Sequence, residues 1–344
     1  MKKYKKILYY APVKKKYFKK WEYYQTDLKM LKQIFENVVV SHNILDFLLQ
    51  LRGQNYVYCW WWHRSAHIIL LSKIFRKKVI STGALHMFDY SVQKDFYSHS
   101  WVFRQANRIS LLLSDLVLFI SKDQLLAITS HIKVKNPQLL YSSLSPFNEL
   151  NTQPFYSKDK DKITFCYHSH LTLAQIERKG LCALLPAFKK LRSENKSVEL
   201  LIFGASGDGV AFIEEFIATN KLDDCVQLSL DVSAIDKFNL FKRSDLLVNI
   251  SHMEGFGNAC LEAMSVGLPV AVSRFGASPE LVKEKNLIAT HVDSGEIYSV
   301  LFWYTELSLR EREMLRKSVF EYSHKVFSFG YRVERFSRIL EEML

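Results

Sequence analysis

The sequence predicts an α/β protein made of two domains of similar size that face a central cleft. The chain has 344 residues, which is more than one hydrophobic core usually serves. Strand-like apolar runs alternate with longer helical runs along most of it, which is typical of parallel sheets covered by helices. The alternation stops between residues 144 and 162 and then restarts, so we place a domain linker there.

Residues 1–150 are predicted to form the first domain. Short apolar runs rich in β-branched and aromatic residues read as strands, and the stretches between them have the apolar spacing of helices. The predicted strands are Ile7–Ala11, Tyr56–Trp61, Lys78–Ser81 and Leu116–Ser121, and the predicted helices cover residues 22–38, 65–75 and 101–113.

Residues 151–325 are predicted to form the second domain, in which the alternation of strands and helices restarts. The predicted strands are Ile163–Tyr167, Glu199–Phe203, Val226–Leu230, Leu246–Ile250 and Pro269–Ser273, with a helix over residues 181–192. The final stretch, residues 310–344, has the spacing of two amphipathic helices.

The composition excludes several classes of protein. Hydrophobic residues make up 48% of the chain, and glycine and proline are few, so neither disorder nor a fibrous repeat is expected. The five cysteines form no Cys-x-x-Cys pair, and we expect reduced thiols in a cytoplasmic protein. The apolar run from Ile7 to Val13 is short and lacks a cleavage-site pattern, so we expect a first strand. No apolar run reaches the roughly 20 residues that cross a bilayer.

The formal net charge of +12 is concentrated near the N-terminus. Tyr17, Phe18 and Trp21 are interleaved with the lysines of this stretch, a mixture that suits a lipid headgroup interface on the inner membrane face. Single-stranded nucleic acid and a plainly solvated surface are the alternatives. The lysines that precede the first acidic residue, Glu22, are Lys2, Lys3, Lys5, Lys6, Lys14, Lys15, Lys16, Lys19 and Lys20.

The most informative stretch runs from Asp245 to Val282. A buried strand leads into a loop with Gly255 and Gly257, and a predicted helix follows. Ligands of open α/β sheets bind beyond the carboxyl ends of strands, and free amides at a helix start favour phosphate. Glu254 and Glu262, eight residues apart, could accept hydrogen bonds from hydroxyl groups on two parts of one ligand. Dipole compensation and an ordinary strand–helix loop are the structural alternatives.

This stretch resembles the signature of the family-4 retaining glycosyltransferases, in which an E-x7-E pair follows a buried strand. The resemblance implies the GT-B fold, two Rossmann-like domains facing a central cleft, with residues 326–344 as a C-terminal helix returning toward the first domain. It also implies that Glu254 contacts the donor sugar and Glu262 the ribose, while the loop residues Gly255, Phe256, Gly257 and Asn258 face the pyrophosphate and sugar.

Other segments carry the resemblance further. Glu177-Arg178-Lys179-Gly180 resembles the family's Lys-Gly segment, which implies that Lys179, helped by Arg178, neutralises the donor diphosphate. Gly204 corresponds to the glycine after the next strand. His86 follows a strand where the family often has a histidine near the reacting centre.

The sequence departs from the family pattern in two places. The family's further arginine is replaced by residues 167–170, Tyr-His-Ser-His, where Arg178 or a protonated histidine could substitute. The glycine-rich loop after the first strand is replaced by residues 11–14, Ala-Pro-Val-Lys.

The resemblance implies a retaining hexosyltransferase that uses a nucleotide-diphosphate sugar in cell-surface polysaccharide, lipopolysaccharide or glycolipid synthesis. The catalytic candidates are His86 and Glu254; the donor is a substrate, and neither a cofactor nor a metal is expected. The expected partners are the donor and a glycan or lipid-linked acceptor, with the protein cytoplasmic or peripheral on the inner membrane. A non-catalytic GT-B partner protein and a basic nucleic-acid-binding protein are the alternatives, although no nucleic-acid-binding motif is present.

Overall fold

The computed structural model of the chain describes residues 4–84, 96–144, 154, 162–194 and 197–343. The chain forms two compact units: Met1–Phe147 together with Phe327–Leu344, and Asn148–Val326. The sequence places the domain boundaries after residues 150 and 325.

The first unit contains a six-stranded parallel sheet in the order β2-β1-β3-β4-β5-β6. Its helices connect consecutive strands, as parallel pairing requires. The strands are β1 (Tyr4–Tyr10), β2 (Phe35–Ser41), β3 (Tyr56–Trp60), β4 (Lys78–Gly83), β5 (Leu116–Phe119) and β6 (Pro137–Leu139); the helices are α1 (Lys15–Lys20), α2 (Glu22–Ile34), α3 (Ile44–Leu51), α4 (Trp62–Ile74), α5 (Trp101–Leu113) and α6 (Lys122–Thr129).

Both faces of this sheet are buried, because successive side chains of a strand point to opposite faces. Tyr9 of β1 contributes to a core with Met30 of α2 on one face, and Leu8 contributes to a second core with Phe47 of α3 on the other. The N-cap Asn43 begins α3 by accepting a hydrogen bond from the Asp46 amide at 2.9 Å.

One predicted element of this unit is wrong at its end. The helix expected over residues 22–38 stops at Ile34, and β2 begins at the next residue. The β-branched run Val38-Val39-Val40 favours a strand, but no glycine or proline separates it from the helix. Strands β2 and β6 and helices α1, α3 and α6 were not predicted.

The second unit contains another six-stranded parallel sheet, in the order β12-β11-β10-β7-β8-β9. Read from the other edge, this is the 3-2-1-4-5-6 order of a dinucleotide-binding fold, which switches direction between β7 and β10. The strands are β7 (Ile163–His168), β8 (Val198–Gly204), β9 (Val226–Leu230), β10 (Leu246–Asn249), β11 (Val270–Ser273) and β12 (Ile288–Ala289); the helices are α7 (Leu173–Arg178), α8 (Leu181–Ser193), α9 (Val210–Thr219), α10 (Ala234–Arg243), α11 (Asn258–Met264), α12 (Ser294–Glu306) and α13 (Leu309–Val326).

The chain ends in α13 and α14 (Phe329–Met343), the two helices that the sequence predicts there. Helix α14 packs into the core of the first unit through Phe336 and Leu340. Within the described residues, no helix combines the length and apolar character needed to cross a membrane.

Candidate active site

The candidate site lies at the carboxyl ends of β7 and β10, the two adjacent strands at which the sheet order of the second unit switches direction. Leu246 of β10 pairs with Phe165 of β7, which brings the loop after β10 beside the segment that follows β7. Crevices at such switch points are where open α/β sheets bind ligands. The strand order therefore positions residues 250–258 and 169–180 together.

The Arg178-Lys179-Gly180 segment joins α7 to α8 and rests on the end of β10. Gly180 has a φ of +74°, and a Cβ at this position would overlap the carbonyl oxygen of Ile250. Arg178 binds the loop on both sides: its carbonyl accepts a hydrogen bond from the His252 amide at 2.8 Å, and its Nη1 donates to the Met253 carbonyl at 2.6 Å. The corner and the loop are thus held against each other.

This arrangement places Lys179 next to Glu254. The Lys179 Nζ lies 3.4 Å from Glu254 Oε2, and the two side chains are 16% and 15% exposed. The separation is that of an ion pair, but Glu254 Oε2 is a buried oxygen that accepts no hydrogen bond within the described residues. Ionised carboxylate oxygens can accept several hydrogen bonds, so this oxygen keeps unused acceptor capacity beside a positive charge.

Glu262 has a different cation. On α11 its Oε2 accepts a hydrogen bond at 2.8 Å from the Nζ of Lys237, which projects from α10, and the side chains are 12% and 18% exposed. Lys237 was not predicted from the sequence, because the pair joins two helices and no motif connects this lysine to Glu262.

The glycine-containing loop after β10 leads directly into α11. Phe256 is buried, Gly257 is the N-cap residue, and Asn258 begins the helix with an exposed side chain. The segment after β11 also holds the loop, since the Ala277 amide donates to the Glu254 carbonyl at 3.2 Å. Gly255 and its neighbours therefore sit on backbone that two separate segments hold, the α7–α8 junction and the segment after β11.

Gly204 ends β8 on the other side of β7. Its φ is +154°, and a Cβ there would overlap the carbonyl oxygen of Ser169, the first residue after β7. A side chain is therefore excluded where the two loops meet. The structure gives Gly204 this packing role next to the switch point.

His168, at the end of β7, is a neutral imidazole. Burial, with the nearby Lys237 ammonium, lowers its pKa to about 4, and Nδ1 lies 3.1 Å from the Phe203 carbonyl. The ring also stacks on Phe203 with centroids 5.0 Å apart. His168 is therefore not the protonated histidine that could replace the missing arginine. Lys237 supplies a positive charge in this region instead.

Further buried polar groups surround the end of β10. The Nδ2 of Asn249 and the Oγ of Ser251 are buried and make no hydrogen bond within the described residues. Asn249 is the last residue of β10, and Ser251 begins the loop that leads to Glu254. Uncompensated buried polar groups are costly, and they are often kept where a ligand supplies the partner.

Two further sequence predictions concern His86 and metal binding. His86 lies outside the described residues, so its assignment stays a prediction. Within the described residues, no group of three or more histidine, cysteine, aspartate or glutamate side chains is arranged to hold a metal ion.

Comparison with known proteins bears on this half of the chain. Residues 151–301 match the family model described as "Glycosyl transferases group 1". Over 152 residues the chain is 30% identical to the amylovoran biosynthesis glycosyltransferase AmsK of Erwinia amylovora, an alignment that covers 42% of this chain and 37% of that relative. The chain spans about a third of the length of the curated relatives it matches.

Solved structures extend the likeness to nearly the whole chain. HepE from Anabaena, solved in complex with UDP and glucose, has a TM-score of 0.73 at 16% identity and covers 98% of this chain and 99% of its own. Sucrose-phosphate synthase from Thermosynechococcus elongatus has a TM-score of 0.78 at 14% identity, with 99% of both chains covered. The chain therefore has the GT-B fold, and the predicted fold class is confirmed.

Proposed function

We propose that the protein is a retaining glycosyltransferase that moves a hexose from a nucleotide-diphosphate sugar to an acceptor hydroxyl. The observation that carries the proposal is the Lys179–Glu254 pair at the switch point of the second sheet. It sets a positive charge beside a buried carboxylate oxygen that accepts no hydrogen bond within the described residues. A donor sugar with an attached diphosphate carries the matching groups, hydroxyl donors and negative charge.

In this proposal Lys179 binds the diphosphate and stabilises the negative charge that develops on it as the glycosidic bond breaks. Such preorganised charge is commonly the largest contribution of an enzyme to lowering the barrier. Arg178 contributes by holding the loop through Met253. The amides of Gly255, Phe256, Gly257 and Asn258 face the pyrophosphate and the sugar, and Gly204 keeps the neighbouring loop close. With these cations present, the proposed reaction uses no metal and no cofactor.

The two glutamates bind different parts of the donor. Glu254 accepts hydrogen bonds from sugar hydroxyls, and Glu262 accepts from a ribose hydroxyl while Lys237 orients its carboxylate. Glu254 is proposed as a donor-sugar ligand and not as a nucleophile, and His86 as a residue near the reacting centre.

The relatives support the class of substrate. The structure of HepE holds UDP and glucose, and AmsK is named for the biosynthesis of amylovoran. We therefore propose a nucleotide-sugar donor and a glycan or lipid-linked acceptor in cell-surface polysaccharide or glycolipid synthesis. The proposed location is cytoplasmic, with attachment to the inner membrane face.

The test is release of nucleoside diphosphate from a panel of UDP- and GDP-hexoses by the wild type, Lys179→Gln and Glu254→Gln. The wild type should release the nucleoside diphosphate from the hexose donors of one nucleotide class, by hydrolysis or by transfer of the hexose. Loss of one charge-stabilising group should slow release by about 10²–10³-fold. Glu215→Gln, an exposed glutamate of α9, is the control and should behave as wild type. A folded wild type that releases nothing from any donor would favour the non-catalytic GT-B partner instead.

A further inference from the structure

Helix α3 of the first unit presents an apolar surface that the rest of that unit leaves exposed. Ile44, Leu45, Leu48 and Leu49 are 41%, 73%, 40% and 85% exposed, and we call these four residues the α3 leucine face. Scattered apolar residues are ordinary on a protein surface. Four of them on two turns of one short helix form a contiguous patch, which marks a docking surface.

The helical period shows what lies beside this face. With 100° between successive residues, Phe47 and Leu51 point into the core, and Asn43, Asp46 and Gln50 share a different face. Leu45 and Leu49 lie next to that second face, on the side of Asp46. The residues of the second face line a groove, so the most exposed leucines border it.

The groove is large and positively charged. It has a volume of about 860 Å³ and lies between α1, the ends of α2 and β2, and α3. Lys14, Lys15 and Lys19 line it with exposed side chains, and none of them has a carboxylate within 4.0 Å in the described part of the chain. The one carboxylate in its lining, Asp46, accepts a hydrogen bond from Gln50. We call this feature the basic groove.

Amphipathic aromatic side chains accompany the lysines. Tyr17 and Trp21 are 39% and 38% exposed, and their rings stack with centroids 5.4 Å apart. Tyrosine and tryptophan are enriched at membrane–water interfaces because they combine an apolar ring with a polar group.

We propose that the α3 leucine face and the basic groove together dock the first unit onto an anionic lipid membrane. The leucines enter the boundary between headgroups and acyl chains, and Lys14, Lys15 and Lys19 bind the lipid phosphates. Charge complementarity favours this occupant over a second copy of the chain, because two copies would bring their unpaired lysines together. The docking surface differs from the one expected from the sequence, because α3 supplies its apolar part.

The test is flotation of the full chain with vesicles of phosphatidylcholine alone and of phosphatidylcholine with phosphatidylglycerol. The wild type should float with the anionic vesicles and stay largely unbound with the neutral ones. Leu45→Gln/Leu49→Gln and Lys15→Glu/Lys19→Glu should each lower the vesicle partition coefficient at least about tenfold. The matched controls are Leu126→Gln, a leucine of α6 that is 56% exposed, and Lys133→Glu/Lys285→Glu, which makes the same change of net charge on exposed lysines.

Three outcomes would overturn the proposal. In the first, the wild type stays unbound with anionic vesicles. In the second, the controls lose binding as much as the α3 variants, which would reduce the effect to net charge. In the third, light scattering shows a dimer that Leu45→Gln/Leu49→Gln abolishes while vesicle binding is absent, which would assign the face to a second copy. The proposal does not rest on the proposed enzyme activity, because stabilisation by nucleotides reports on the second unit separately.

Discussion

Each glutamate of the candidate site faces a lysine, but the two pairs differ in geometry. Lys237 donates a hydrogen bond to Glu262 at 2.8 Å, whereas Lys179 stands 3.4 Å from Glu254 without one. A carboxylate held by a charge-assisted hydrogen bond is oriented before a ligand arrives. Glu262 is therefore fixed in place, while Glu254 keeps an oxygen for new hydrogen bonds.

Replacement of Lys237 by glutamine should weaken nucleotide binding about tenfold. The substitution removes the Lys237 cation from beside the mostly buried Glu262 carboxylate, and with it a positive charge of the site. Lys237→Arg, which keeps the charge, should restore part of the affinity. Titration calorimetry with the nucleoside diphosphate measures this, with Lys285→Gln as the control. Equal affinities for Lys237→Gln and the wild type would show that the pair has no part in binding.

His168 predicts a pH dependence of stability. Its pKa is about 4 in the folded protein, against about 6.5 for an unfolded histidine. Between these values the unfolded chain binds a proton that the folded chain does not, so the free energy of unfolding falls as the pH falls from 6.5 to 4. His168→Gln removes this contribution and should lose roughly 2–3 kcal/mol less stability than the wild type over that range.

Urea unfolding at pH 7 and at pH 4.5 measures the difference. The pH 7 data isolate the cost of the substitution itself, because the wild-type histidine is neutral in both states there. Parallel losses of stability in the two proteins would mean that His168 takes up a proton in the folded state.

At the level of elements, the junction of α7 and α8 positions Lys179. Gly180 allows the junction to contact Ile250, the residue after β10. Arg178 binds the following loop through two hydrogen bonds, one accepted by its carbonyl and one donated by its guanidinium to the Met253 carbonyl. Lys179 and Glu254 therefore come together through backbone packing. No local sequence pattern specifies that they lie close together.

Gly180→Ala should destabilise the protein by at least about 1–2 kcal/mol, because alanine is strained at φ +74° and its Cβ overlaps the Ile250 carbonyl. It should also weaken nucleotide binding, since Lys179 would be displaced. Gly53→Ala is the control, because no heavy atom lies within 4 Å of a Cβ there. Thermal unfolding and titration calorimetry check both effects. A Gly180→Ala protein with wild-type stability would contradict the packing described.

The sequence was sufficient for elements with a strong local pattern. The E-x7-E spacing after the strand Leu246–Asn249 singled out both glutamates, whose roles stay a prediction. The order of strands and helices predicted the fold class, which is confirmed. Pairing across elements has no local pattern, so Lys237 was missed. The change from α2 to β2 was missed because no glycine or proline separates the two elements.

At the level of the whole chain, the last helix belongs to the first unit. Arg332 of α14 donates to Asp27 Oδ1 at 2.8 Å, and these side chains are 5% and 2% exposed. Asp27 Oδ2 also accepts hydrogen bonds from Tyr58 at 2.6 Å and Trp60 at 2.8 Å. The C-terminal segment thus completes a buried polar network of the first unit.

Arg332→Leu should destabilise the first unit by about 3–5 kcal/mol, because it leaves the Asp27 carboxylate buried without its cation. The matched control is Arg338→Ala on the same helix, whose pair with Glu334 is 64% and 59% exposed. That change should stay within about 0.5 kcal/mol. Urea unfolding compares the two variants, and a small effect of Arg332→Leu would mean that α14 does not stabilise the unit through this network.

Thermal unfolding of the wild type and Glu262→Ala with UDP, GDP and their sugar conjugates tests donor binding directly. At about a hundred times its dissociation constant, a bound ligand should stabilise the folded protein by about 2.7 kcal/mol, a shift of a few degrees in Tm. We expect one nucleotide class to raise the Tm of the wild type and the shift to be lost or much reduced in Glu262→Ala. No shift with any nucleotide, or the same shift in both proteins, would contradict a donor site at the β7–β10 switch point.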